Sequence, residues 1–373
     1  MKTTFLHGEL KEFVHVFQLD GFVKRGEEDK VYKLSKALYG WRQAPRAWNN
    51  KLDQILKGLN FRRCPKEQSV YTKQEKGFHL IVAVYVDDLF ITGSSLMIIS
   101  EFMKDMSSKF EMTDLGKLTY YLGIKVTQGV DGICIKQEGY ALKILMDTSM
   151  ETCSRVHVPM DSGLKLLKAE EKTEVDATRY RRTIGCLRHL LHTKLDLAYA
   201  VGALSRYMHN PKESHRHAIK HVLRYVKGTT SLGLRFKRDG DERIVGYSDS
   251  SHNIDTDDGK STGGHVFYLE LLGDVIEDKS KKVVIRIDNK STIALTKNLV
   301  FHGRSKHILS RYHFIRECVE NEQVEVEHVP GIEHRADILT KTLACVKFKE
   351  MRDKIGVEDF HNLSLKIMGE NIG

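Results

Sequence analysis

Apolar and polar residues alternate from residue 79 to residue 93, the period of a β-hairpin. Residues 31–59 read as helix, with Pro45 opening a helical turn. Residues 118–126 and 132–136 are rich in β-branched and aromatic side chains and predict strands. From 176 to 228 the pattern is mostly helical, and the last helix is the best marked. Asn210 suits its N-cap, Pro211 its first helical position and Gly228 the C′ stop. Ile219, Val222, Leu223 and Val226 make one apolar face. Arg216, Lys220, Arg224 and Lys227 fall at three- and four-residue steps on another. Such a basic face is either a solvated surface or a nucleic-acid contact, and spacing leaves both open. Beyond Arg243 strands return at 244–247, 283–287 and 324–329, which suggests a second domain from about residue 240.

Composition narrows this picture. The 373 residues are 41% hydrophobic and 29% charged, as a globular chain of two or three small domains would be. Lys+Arg 59 against Asp+Glu 50 gives a net +9, a balance compatible with a polyanionic partner. The six cysteines form no CxxC pair, so no zinc ribbon is predicted, and reduced thiols in an intracellular protein are expected. No apolar leader follows Met1, and the most apolar stretch, residues 80–92, is broken by two aspartates and too short for a bilayer. No membrane partner is expected; a cytoplasmic particle or the nucleus are both open. His215, His217 and His221, with His189 and His192 nearby, are candidate zinc ligands, but a basic, partly solvated helix explains them better.

The sharpest chemical signal is Tyr85-Val86-Asp87-Asp88, set in the middle of an apolar run. In a hairpin the two carboxylates lie at the tip. Crowded carboxylates repel unless a cation neutralises them, and a divalent ion with oxygen ligands does so. Two such ions about 4 Å apart clamp the attacking and leaving oxygens of phosphoryl transfer. A solvated Asp-Asp turn is the bland alternative, and the apolar flanks argue against it.

With its neighbours this box resembles the copia-type reverse transcriptases. Lys2-Thr3-Thr4-Phe5-Leu6-His7-Gly8-Glu9-Leu10 is similar to that family's K-T-A-F-L-x-G-x-L segment. The run from Lys36 through Tyr39-Gly40 and Gln43-Ala44-Pro45-Arg46-Ala47-Trp48 resembles its K-A-L-Y-G-L-K-Q-A-P-R-A-W box. Residues 110–126 look like the primer grip. Residues 180–228 look like the thumb and connection, with Lys194 and Leu195 where the family has Arg-Pro before Asp196. The resemblance implies RNA- and DNA-templated DNA synthesis with Mg2+ (or Mn2+), a template-primer and dNTPs. Asp87 and Asp88 would be metal ligands. Tyr85, Gln43, Arg46 and Trp48 would contact nucleotide or template, joined by Arg216, Lys220, Arg224 and Lys227. The family's third metal aspartate precedes the K-T-A-F-L segment, at a point before Met1, so an incomplete polymerase site is expected.

Further on, Gly246-Tyr247-Ser248-Asp249, Lys260-Ser261-Thr262-Gly263-Gly264, Ile287-Asp288-Asn289 and Ala336-Asp337-Ile338-Leu339-Thr340-Lys341 resemble the family's ribonuclease H boxes, as do residues 301–308 and 311–316. Asp249, Asp288 and Asp337 align with metal ligands for hydrolysing the RNA strand of an RNA–DNA hybrid. The family's fourth ligand, a helical Glu, has no counterpart. The spacing between residues 268 and 283 is too short for one strand and two helices, so a deletion near 268–275 is expected. The expected fold is thus α+β or α/β. A partial palm (1–150) leads to thumb-like helices (151–238), then a ribonuclease H-like domain (239–345) lacking a strand and a helix, and a tail (346–373). The resemblance makes the chain a fragment with impaired sites, with other retroelement proteins among its partners. A non-catalytic nucleic-acid-binding remnant or a decayed gene product is the alternative.

Overall fold

The structure is a computed structural model and describes residues 3–75, 77–168, 175–238, 244–251, 257, 259, 261–268, 283–297 and 317–360. They fall into two compact units, one within Met1–Gly116 and one from Lys117 on.

The first unit begins with a single 3-10 turn, Thr4–His7, and an antiparallel ribbon of β1 (Glu9–Phe17) and β2 (Val31–Lys36). The helix expected over 31–59 is therefore shorter. Val31 and Leu34 lie opposite Phe17 and Val14 in the ladder, and α1 (Ala44–Gly58) starts only at the Pro45 turn. Next come β3 (Arg62–Arg63), β4 (Val70–Glu75), β5 (Phe78–Tyr85) and β6 (Asp88–Gly93), an antiparallel sheet in chain order. The hairpin expected over 79–93 is β5–β6. Helix α2 (Leu96–Ser107) closes the unit, its first turn capped by the Ser95 hydroxyl, which accepts from the Met97 N–H at 3.3 Å. Trp48, Leu52 and Leu56 recur every four residues along α1. They bury one stripe against Tyr71, Leu80 and Val82 of the sheet and Phe102 and Met106 of α2.

In the second unit, β7 (Tyr120–Tyr121), β8 (Ile124–Gly129) and β9 (Gly132–Lys136) run antiparallel, as expected from their β-branched and aromatic content. Four helices follow: α3 (Glu138–Asp147), α4 (Ala177–Leu190), α5 (Ala198–Ser205) and α6 (Glu213–Gly228). Asp176 caps α4, its carboxylate accepting from Thr178 N–H at 2.8 Å. The apolar face of α6 is buried as the spacing required, but the helix starts at Glu213 rather than Pro211. Its N-cap is Lys212 rather than the expected Asn210, and the Lys212 backbone N–H donates to His215 Nδ1 at 2.9 Å, the back half of a capping box.

Strand β10 (Leu232–Lys237) returns beside β9. A second sheet holds β11 (Val245–Ser250), β12 (Gly263–Tyr268), β13 (Val283–Ile287) and β14 (Val324–His328) in the order β12-β11-β13-β14, with α7 (Lys290–Lys297) between β13 and β14 in sequence. Strand β12 is antiparallel to β11; β11, β13 and β14 are mutually parallel. Helices α8 (Asp337–Thr340) and α9 (Cys345–Lys354) and strand β15 (Val357–Asp359) complete the unit. The stretch from 346 that was expected to be a tail thus contributes Phe348, Met351, Ile355 and Val357 to the core, and β15 pairs with β10. Antiparallel sheets, one mixed sheet and packed helices make the fold α+β. The expected deletion near 268–275 and the boxes at 301–308 and 311–316 lie outside the described residues. No helix among the described residues is long and apolar enough to cross a membrane.

Candidate metal centre

Asp249, Asp288 and Asp337 converge: each offers a carboxylate oxygen, and these atoms all lie within 4.8 Å of one another. Strand register explains the convergence. Val245 pairs with Val284 in the parallel β11–β13 ladder, and carrying that offset along the strands sets Asp249 opposite Asp288. Beside β13, β14 leads into a loop that returns to the first residue of α8, Asp337. Gly264, the cross-strand partner of Asp249 on β12, makes room for that helix. A Cβ at Gly264 would meet the Leu339 Cβ and Thr340 Cγ2 at 2.7 Å.

Neighbours then fix the carboxylates. The Thr340 hydroxyl donates to Asp249 Oδ2, and Lys341 Nζ lies 2.9 Å from Asp337 Oδ1. His334 is fully buried, with Nδ1 3.8 Å from the same Asp337 oxygen and its ring edge-on to Tyr247. Three carboxylates this close repel one another, and a hard divalent cation with oxygen ligands suits them. The ammonium of Lys341 offsets part of that charge in the protein alone. Sequence reasoning found the three aspartates and missed Thr340, Lys341 and His334. The signal for the first two was present: they stand three and four residues after Asp337, on its side of the helix.

The other predicted pair sits differently. Tyr85 pairs with Asp88 in the β5–β6 ladder, so Val86 and Asp87 form a two-residue turn and Asp88 starts the returning strand. Both aspartates are exposed, while Leu80 and Val82 behind them are buried. Val86 has φ 54°, a left-handed conformation unusual for a β-branched residue. Among the described residues no third acidic or histidine ligand gathers with this pair. Tyr85 and Arg46 are exposed, and Gln43 is half-exposed at the N-cap of α1. Trp48 is the correction. It is 3% exposed and offers no ring face to a base; its indole N–H donates to the Val86 carbonyl at 2.8 Å. Gly8 lets the start of β1 approach it, since a Cβ there would lie 2.7 Å from Trp48 N.

On α6, Arg216 is bound to Glu213, and Arg224 donates to the Ser154 carbonyl and hydroxyl at 3.0 and 2.9 Å. Lys220 is exposed and Lys227 half-exposed. Two of the histidines serve packing: His215 stacks on Tyr207 with centroids 3.9 Å apart, and His221 Nε2 contacts the Val158 carbonyl at 3.1 Å; His192 and His217 are exposed. No zinc-type cluster occurs among the described residues.

Comparison with known proteins places the chain among its relatives. The family described as "Reverse transcriptase (RNA-dependent DNA polymerase)" matches residues 1–162. The retrovirus-related Pol polyprotein from transposon RE2 of Arabidopsis thaliana is 34% identical over 96% of this chain and 27% of its own length. The chain therefore spans about a quarter of that relative. The putative transposon Ty5-1 protein of Saccharomyces cerevisiae is 30% identical over 79% of this chain and 96% of its own length. Among solved structures, the foamy viral protease-reverse transcriptase in complex with dsDNA aligns with TM-score 0.45 and 11% identity, over 80% of this chain and 61% of that one.

Proposed function

Since the chain belongs to the reverse transcriptase family of copia-type transposon Pol polyproteins, we propose that it is a piece of such a polyprotein. In this reading its second unit carries a divalent-cation site for hydrolysing the RNA strand of an RNA–DNA hybrid. The observation that supports this is the convergence of Asp249, Asp288 and Asp337. Those three side chains would hold Mg2+ or Mn2+. The bound ion would supply Lewis-acid activation of water and of a phosphate oxygen. The protein's own part is to keep the carboxylates close and correctly turned. Thr340 holds Asp249, and Lys341 and His334 flank Asp337.

The turn at Asp87 and Asp88 supplies two carboxylates of the polymerase centre in the same reading. Residues 1–150 form the palm-like part, 151–238 the thumb and connection, and 239–345 the nuclease. Because the pair gathers no third ligand among the described residues, DNA synthesis by this stretch alone is expected to be negligible. The test uses purified protein, a labelled RNA–DNA hybrid and a primed poly(A)/oligo(dT) template. Expected are slow, metal-dependent cleavage that Asp249→Asn abolishes, and no primer extension. Cleavage equal in the wild type and Asp249→Asn would overturn the nuclease assignment. Hybrid binding without any turnover would favour a nucleic-acid-binding remnant.

A further inference from the structure

We propose that Trp48 holds the Asp87–Asp88 turn in its working shape through a hydrogen bond to the turn's backbone. Its importance for metal binding rests on the reading of that turn given above; the clamp itself stands on geometry alone. The acceptor is the Val86 carbonyl, at 2.8 Å from Trp48 Nε1. That carbonyl belongs to the peptide unit joining Val86 to Asp87. Fixing its plane sets the ψ of Val86 and the φ of Asp87, and so the way the two carboxylates are presented. The turn needs such a restraint, because Val86 sits at φ 54°, where a β-branched side chain remains only when its surroundings impose the conformation.

The donor is itself immobile. The Trp48 ring is 3% exposed and lies edge-on to Phe110, with centroids 5.2 Å apart. Its backbone is backed by Gly8, where even a methyl group would collide. The indole N–H is the only polar group of the side chain, and the turn carbonyl satisfies it. A bond spanning 38 residues thereby ties the turn to the helix that forms the core of the unit. Trp48 is a positioning residue, and its tryptophan identity matters for the donor as well as for volume.

The test uses the full chain with Asp249→Asn and Asp288→Asn, so that the second cluster is silent. Trp48→Phe, Val86→Gly and the double variant are compared by urea midpoint and by Mn2+ titration. Glycine tolerates φ 54° without help, so Val86→Gly removes the need for the clamp. Trp48→Phe is expected to lower the midpoint and to weaken Mn2+ binding about tenfold, as loss of an orienting partner does. In the Val86→Gly background the midpoint drop should be at least halved and Mn2+ affinity restored. Equal midpoint drops in both backgrounds would overturn the clamp. Mn2+ binding unaffected by Asp87→Asn and Asp88→Asn would overturn the metal reading instead, leaving the clamp to be judged on the midpoints. If Trp48→Phe does not fold, 15N-tryptophan labelling of the unsubstituted chain decides. The two indole signals belong to Trp41 and Trp48, and that of Trp48 must be protected from hydrogen exchange like a core amide. Rapid exchange would overturn the proposal.

Discussion

Lys194 carries its ammonium in the interior, 1% exposed, with Nζ donating to the Thr229 carbonyl and lying 3.1 Å from the Thr229 hydroxyl. Burial lowers its pKa to about 8 from the ordinary 10.5. The unfolded chain therefore binds more protons between those values, and stability rises with pH across that window. The gain is on the order of 3 kcal/mol at most. Lys194→Met is expected to remove this rise, seen as the difference between wild-type and variant urea midpoints at pH 7.5 and pH 10. At the second site, Thr340→Val keeps the volume and deletes the donor to Asp249. Mn2+ affinity there should fall about tenfold with little change in midpoint. The five aspartates were legible in the sequence, Asp87 and Asp88 because they interrupt an apolar run and Asp249, Asp288 and Asp337 because of the boxes around them. Trp48 was misread, because an aromatic side chain among basic neighbours suits a base face as well as a core. Only the α1 stripe Trp48, Leu52, Leu56 separates the two, and that periodicity was available. His334 stands three residues before Asp337, but in a turn ahead of the helix, where no helical period marks it.

Elements were read well where the hydrophobic period was unambiguous, as in the β5–β6 hairpin and the buried face of α6. Strand β2 was misread because Val31 and Leu34, three apart, imitate a helical stripe; its ladder with β1 decides otherwise. The N-terminus of α6 moved by two residues because His215, three positions after Lys212, binds the cap N–H. The placement of α8 makes its own prediction. It packs over Gly264, where an added methyl group would lie 2.7 Å from two side-chain atoms. Gly264→Ala is therefore expected to destabilise the second unit by about 1–3 kcal/mol, as overpacking does, and to weaken metal binding at Asp249 and Asp337. A wild-type urea midpoint with undiminished Mn2+ affinity would show that the helix can move aside freely.

For the whole chain, a net charge of +9 calls for binding to an RNA–DNA hybrid that weakens as salt rises, with a log–log slope near −0.9 per phosphate contact if the hybrid behaves as duplex DNA does. Gel-shift titrations between 50 and 200 mM salt measure that slope. An affinity indifferent to salt would remove the nucleic-acid partner from the reading. The change of pattern near residue 240 reports the sheet that starts at β11. The division of the chain at Gly116 left no comparable mark, because β7–β9 find their partner strand β10 about a hundred residues later, and no local period encodes that pairing. The order β15-β10-β9-β8-β7 also bears on how the protein is made. A ribosome delivers α6 and β10 long before α9 and β15. Until residues 345–359 have emerged, Tyr225 lacks its ring contact with Phe348, and β10 has an open edge where β15 pairs. A stop codon between β10 and α9 would make that interval permanent, releasing a product with a bare strand edge and uncovered apolar surface, the features that promote aggregation and degradation.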